Sequence, residues 1–250
     1  KSIKLLPQMM RQKGKLVVAG VLLYEEINRI GKFAGRILSQ PKKTLVVAGG
    51  AKISDKIEVL KQFVLTGVKS ILIGGKMANA FLLAQQQKEL IQPFHTDKLP
   101  AKLLSQKVQE NEELLKEINL AEEIIELAEI NKVALIFPDD YKVVSDYQST
   151  IFENKVTPDF SKELQLDLGE KTINQFEDLF KDIKNVFWNG PLGAYDHPAC
   201  SYYAEGSLEL AKLLFQMALI DSKLSVVIGG GDSAAILNKI GVTELKKMIK

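Results

Sequence analysis

Short, nearly unbroken apolar runs alternate along this chain with longer stretches in which apolar residues recur every three or four positions. Thr44–Ala48 (TLVVA), Ser70–Ile73 (SILI), Val133–Phe137 (VALIF), Asn185–Trp188 (NVFW) and Leu224–Ile228 (LSVVI) read as buried strands, with Tyr141–Ser145 as a further short one. Helical spacing covers Tyr24–Ser39, Ile53–Thr66 (Ile57, Leu60, Val64), Met77–Gln86, much of Leu104–Asn131, Thr172–Phe180 and Ala199–Met217, and another helix opens at Asp232. In the long segment Leu114, Leu115, Ile118, Ile124, Ile125 and Leu127 make one stripe. Ile3–Lys15 is basic and settles on no pattern. Gln87–Leu103 is polar with Pro93 and Pro100 in it, and Glu153–Lys171 reads as irregular.

Apolar strands separated by helices indicate a parallel sheet covered on both faces. The expected fold is therefore α/β: a doubly wound, Rossmann-like, mostly parallel sheet of about six strands. Residues 1–40 form a basic lead-in and junction helix, and 41–250 form the α/β domain. In such folds ligands lie at the carboxyl ends of the strands.

The composition, 46% hydrophobic and 26% charged, is that of a globular domain with an adequate core. The single cysteine, Cys200, excludes an intramolecular disulfide and a cysteine zinc site. The longest apolar run, Leu16–Tyr24, is too short to span a bilayer, and no signal-peptide pattern opens the chain, so no membrane partner and a reducing, cytoplasmic setting are expected. The chain starts at Lys1 without an initiator methionine, as a processed chain or a piece of a longer one would. Net charge is +2, but residues 1–61 hold 13 Lys/Arg against 4 Asp/Glu, a balance of +9 that leaves −7 for the rest. That basic third suits an anionic ligand or is simply a solvated face. No dense basic block interleaved with aromatics supports nucleic-acid binding.

Four glycine clusters end four of the strands: Gly49-Gly50, Gly74-Gly75, Asn189-Gly190-Pro191-Leu192-Gly193 and Gly229-Gly230-Gly231. Glycine lets backbone approach a ligand closely, and a following helix N-terminus attracts phosphate. Tight strand-to-helix turns also need glycine, but four together point to a phosphate site. Neither the Walker pattern nor the dinucleotide fingerprint is present. Lys52 and Lys56 stand four apart at a helix start, where lysine opposes the helix dipole, so phosphate neutralisation explains them better than solvation does. Asp232 either caps its helix or holds Mg²⁺, which takes one or two carboxylates plus substrate phosphates. His95 and His197 lack ligand-like spacing and read as surface or loop residues. Asp139-Asp140 reads as a turn or cap, Trp188 as core, and the acidic stretch Glu122–Glu129 as a solvated face.

In order and spacing, GGAKISDK, IGGKMANAF, LDLGEKT, WNGPLGAYD and IGGGDSAA resemble the carboxyl-terminal, nucleotide-binding domain of phosphoglycerate kinases, from about Leu6 to the chain end. The resemblance implies a phosphotransferase of glycolysis that moves phosphate between 1,3-bisphosphoglycerate and ADP with Mg²⁺. It makes Lys52, Lys56 and Gly231 the catalytic set, with Lys52 stabilising the transferring phosphoryl group. It makes Gly50, Lys56, Gly74, Gly75, Asn189, Gly230, Gly231 and Ser233 the lining of the ATP/ADP phosphate site. It assigns Asp196 to the ribose hydroxyls and Asp232 to the metal.

The chain departs from the family pattern at several places. Lys76 and Gln165 replace glycines of the adenine walls, where long side chains either narrow the pocket or snorkel out. Asp196 replaces glutamate, and Glu170 replaces proline. The amino-terminal domain that binds 3-phosphoglycerate through a histidine and several arginines has no counterpart, since the only arginines are Arg11, Arg29 and Arg36. The family's final glycine-rich segment is missing too. Two readings follow: the nucleotide half of a kinase completed by a substrate domain, or a degenerate relative acting as a binding or structural module, with a partner protein or larger assembly and no catalysis.

Overall fold

The computed structural model describes residues 5–18, 20–91, 111–156, 158, 163–198 and 200–238, without the side chains of 86–91. The expected helical residues 104–110 and His95 lie outside them. The chain divides into two compact units, 1–39 and 40–250. In the first unit, α1 (Leu5–Gln12) forms where no settled structure was expected, and α2 (Val21–Ser39) starts three residues ahead of the predicted helix. Leu5, Leu6 and Met9 on α1 and Leu22, Ile27 and Ile30 on α2 remain exposed.

The second unit runs β1 (Thr44–Ala48), α3 (Ile57–Thr66), β2 (Ser70–Ile73), α4 (Ala78–Ile91), α5 (Glu112–Asn131), β3 (Ala134–Ile136), β4 (Tyr141–Val144), β5 (Glu153–Lys155), β6 (Leu164–Leu168), α6 (Glu170–Asn174), α7 (Phe176–Leu179), β7 (Asn185–Asn189), α8 (Glu205–Ile220) and β8 (Ser225–Gly229). Residues 231–238 are again helical. The main sheet is parallel throughout, in the order β3-β2-β1-β7-β8. Every residue of β1 and β2 is buried, as their apolar runs require of inner strands, whereas β3 and β8 at the edges are only partly covered. Leu45, Val47, Leu72, Val186 and Trp188 from the sheet pack with Leu210 and Leu214 of α8 and with Phe176 and Phe180.

The parallel α/β fold matches the expectation, but the strand count differs. Tyr141–Val144 pairs antiparallel with β5 and β6 in a separate three-stranded sheet, and β5 and β6 come from the segment that read as irregular. β5 (ENK) is too short and polar to show a period, and a register shift between Lys142 and Val143 interrupts the pairing of β4 with β6. β6 (LQLDL) does alternate apolar and polar residues, so its strand signal was present in the sequence. Asp139 and Asp140 serve the turn as expected: Asp140 accepts from the N–H groups of Lys171 (3.0 Å) and Thr172 (2.8 Å) at the start of α6, and Asp139 pairs with Lys171 at 3.0 Å. His197 lies in a loop, one of the two settings expected, but is buried there, packed on Tyr147 and Tyr203.

The strand order has a functional consequence. From β1 the chain moves outward to β2 and β3; it then returns on the other side of β1 as β7 and moves outward again to β8. The connections leaving β1 and β7 therefore diverge, which opens a crevice between their carboxyl ends.

Candidate functional site

Four of the five parallel strands end flush at this crevice. Ala48 is level with Ile73 on one side and Asn189 on the other, and Asn189 is level with Gly229. All four predicted glycine clusters thus come together on one edge of one sheet. The first three pack backbone against backbone. A β-carbon on Gly49 would lie 2.1 Å from the Pro191 carbonyl oxygen, and one on Gly75 would lie 2.7 Å from the Gly50 backbone. Gly190 has φ +96° and a site for Cβ only 2.3 Å from the Gly49 oxygen, so no other residue fits there. The loops are stitched by Gly49 N–H to Asn189 O (3.0 Å), Gly75 N–H to Leu192 O (3.1 Å) and Met77 N–H to Gly50 O (3.0 Å).

These bonds divide the expected phosphate residues into two groups. The N–H groups of Gly74 and Gly75 are spent on Ala48 and Leu192, so these glycines shape the rim through close packing. A β-carbon on Gly50 (φ +117°) would meet only the Lys56 side chain, its Nζ 3.3 Å away. Gly231 has open space around it. It begins the helical residues 231–238, whose first-turn N–H groups have no acceptor within the helix. Ser233 is fully buried, and its hydroxyl accepts from Gly190 N–H at 2.8 Å, tying the β8 turn to the β7 turn. The Asn189 amide oxygen stands 3.3 Å from the place of a Gly230 β-carbon. Asp232 is exposed at the start of its helix and accepts from the Tyr195 hydroxyl at 3.0 Å. Asp196 is exposed in the neighbouring turn.

The two lysines differ. Lys56 precedes α3 and stands half-buried over Gly50. Lys52 is half exposed and forms an ion pair with Glu113 of α5. The Glu113 hydrogen bond and charge push the Lys52 ammonium above the usual lysine range and hold Glu113 below the usual carboxylate range. Four residues along α5, Glu117 is nearly buried and accepts from the N–H groups of Ile53 and Ser54 and from the Ser54 hydroxyl. Neither glutamate was legible in the sequence. Both lie about sixty positions from the loop they touch, on a helix of which the acidic stretch Glu122–Glu129 alone reads as a solvated face.

The small sheet supports the other rim. Ala194 N–H bonds to Leu166 O at 2.7 Å, and the buried Asp167 carboxylate accepts from Gly206 N–H at 2.8 Å at the start of α8. Lys142, fully buried, lies 3.9 Å from Asp167 and pairs with Glu205. Burial pushes the Asp167 carboxyl up to about 7, against the opposing pull of Gly206 N–H and Lys142. Gln165 points toward α4, accepting from the Asn79 amide and donating to Glu163 O at 3.0 Å.

Mg²⁺ fits this donor set only if phosphates accompany it. Among the described residues no cluster of three or more His, Cys, Asp and Glu side chains stands ready for a metal. One exposed carboxylate at a glycine turn, Asp232, suits an ion that keeps water and phosphate as its other ligands.

Fold and site together define a doubly wound α/β domain with a glycine-lined crevice at its topological switch point and two lysines leading α3. The chain belongs to the phosphoglycerate kinase family, whose model matches residues 2–249. It is 39% identical over 236 residues to the phosphoglycerate kinase of Lactobacillus gasseri and 36% identical over 236 residues to that of Lactobacillus johnsonii. In each case the match covers 93% of this chain but 50% of the relative, so the chain spans about half the length of the curated relatives it matches. The structure of phosphoglycerate kinase from Coxiella burnetii superposes with a TM-score of 0.63 at 26% identity, covering 91% of this chain and 51% of that one. Pyrococcus horikoshii phosphoglycerate kinase gives the same score at 22% identity, a likeness of fold. No helix among the described residues is long and apolar enough to cross a membrane.

Proposed function

We propose that this chain is the nucleotide-binding half of a phosphoglycerate kinase, holding Mg-ATP or Mg-ADP at the crevice between β1 and β7. The observation that carries the reading is the convergence of four glycine turns at one sheet edge, with the Lys56 ammonium directly over Gly50. Gly50, Gly230 and Gly231 bring bare backbone to the phosphates, and the first turn of residues 231–238 offers N–H donors there. Asn189 and Ser233 hold the β7 and β8 turns at the spacing this requires. Lys56 neutralises nucleotide phosphate, and Lys52 stabilises the phosphoryl group in transit once phosphate replaces Glu113 as its partner. Phosphoryl transfer asks the protein for positioning and charge rather than covalent chemistry. Asp232, oriented by Tyr195, would hold Mg²⁺, which supplies charge neutralisation at the phosphates. Asp196 reaches the ribose hydroxyls. The phosphate acceptor, 3-phosphoglycerate, requires an amino-terminal domain beyond this chain, and the pathway is cytoplasmic glycolysis.

The test is calorimetric titration of Mg-ADP into this chain and into Lys56→Ala. The chain should bind, and the variant should bind about tenfold or more weakly, because it loses a charge-assisted phosphate contact. No heat from the parent chain refutes the reading.

One observation favours a second reading, a family member that keeps the fold as a binding module. Gln165 does not snorkel outward; its amide bridges β6 to Asn79 on α4. If that bridge closes the base pocket, inorganic triphosphate will compete for the crevice as well as ADP does.

A further inference from the structure

Glu117 is a carboxylate where a carboxylate is costly. It is only 9% exposed, on the inward side of α5 with Ile118, Ala121 and Ile124. Charged groups this deep are seldom left without compensation. The compensation comes from the loop between β1 and α3. One oxygen accepts from Ile53 N–H and, at 3.2 Å, from Ser54 N–H; the other accepts from the Ser54 hydroxyl at 2.6 Å. The loop has few bonds of its own, the Lys56 N–H to Ile53 O contact of 2.8 Å being one. Glu117 therefore satisfies two backbone donors of the loop ahead of α3, which no helix or strand ladder serves. One turn earlier on the same face, Glu113 takes Lys52.

We propose that Glu117 is a positioning residue for phosphate binding: it fixes the backbone of residues 52–56, from which both ammonium groups project, without touching the ligand. The proposal rests on the nucleotide reading above. It makes a claim opposite in sign to simple electrostatics. A negative charge this near a phosphate site repels the ligand, so if charge were its only effect, removing Glu117 would tighten binding. If it positions the loop, removing it weakens binding, while an isosteric amide largely restores it. Glutamine keeps an oxygen for the two N–H groups and can donate to the Ser54 oxygen.

The experiment measures Mg-ADP affinity by calorimetry for the chain, Glu117→Ala, Glu117→Gln and Ser54→Ala, each well below its own thermal midpoint. Glu117→Ala should bind about tenfold more weakly, and Glu117→Gln should stay within about threefold of the parent, the difference expected when buried donors lose or keep their acceptor. Ser54→Ala, which removes one of the three bonds, should fall between them and decides the matter if Glu117→Ala does not fold. Parent-like or tighter binding by Glu117→Ala overturns the proposal, as do equal losses in Glu117→Ala and Glu117→Gln, or parent-like binding by Ser54→Ala when Glu117→Ala is unfolded. A parent chain that binds no Mg-ADP overturns the nucleotide reading itself, and the proposal with it. A binding parent with an indifferent Glu117→Ala overturns the positioning claim alone.

Discussion

Replacing Asp167 with asparagine should flatten the pH dependence of folding stability. The Asp167 side chain is buried on β6; Gly206 N–H donates to one oxygen at 2.8 Å, while the other has no hydrogen-bond partner among the described residues. Its nearest cation, Lys142, is 3.9 Å away and is shared with Glu205. Desolvation outweighs both favourable contacts and lifts the carboxyl from 3.8 to about 7. The folded state thus binds the proton more tightly than the unfolded chain does. A group raised in this way lends its full stability below the unfolded value and loses it as pH climbs through the folded one. Each pH unit in that interval costs up to about 1.4 kcal/mol, so roughly 4 kcal/mol is lost between pH 4 and 8, more than half of it above pH 5. Urea unfolding of the parent and of Asp167→Asn at pH 5, 6, 7 and 8 measures the difference directly, since every other titrating group is common to both. The parent should lose roughly 2–3 kcal/mol relative to the variant across that range. Parallel stability curves would refute the reasoning and mean that Lys142 keeps Asp167 ionised throughout.

Two other consequences of the site geometry can be tested. Gly49→Ala places a methyl group 2.1 Å from a carbonyl oxygen of the backbone, which cannot rotate away, and should cost about 2–4 kcal/mol in urea unfolding; Gly231→Ala, with open space around it, should stay within about 0.5 kcal/mol of the parent. Tyr195→Phe removes the hydroxyl that orients Asp232 and should weaken Mg-dependent ADP binding about three- to tenfold, and calorimetry with and without Mg²⁺ should show an unchanged metal-free affinity.

The candidate site was legible to different depths at different residues. The glycines and Lys52 and Lys56 stood out because each breaks a local rule: glycine ends a strand, and lysine opens a helix against its dipole. Asp232 obeys the local rule, since a carboxylate at a helix start also serves as a cap. Their separate duties did not stand out. Gly74 and Gly75 spend their N–H groups holding loops together, and Ser233 turns its hydroxyl to Gly190. Lys142 and Asp167 were invisible as a pair because a charged residue in a short strand reads as solvent-facing until the strand's neighbours are known. Tyr195 gave no signal either, since a tyrosine after Gly-Ala serves equally well as packing.

By itself the sequence determined which segments are strands and helices in the parallel domain and where its backbone must bend without a side chain. Periodicity and glycine stereochemistry act over a few residues, so one chain is enough to read them. Only the tertiary structure decided the rest. It put β7 beside β1 and so opened the crevice, moved β4 into a second sheet with β5 and β6, and brought Glu113 and Glu117 to a loop about sixty residues away. Contacts at that separation follow from how whole elements pack against one another, and no window along the chain contains both partners.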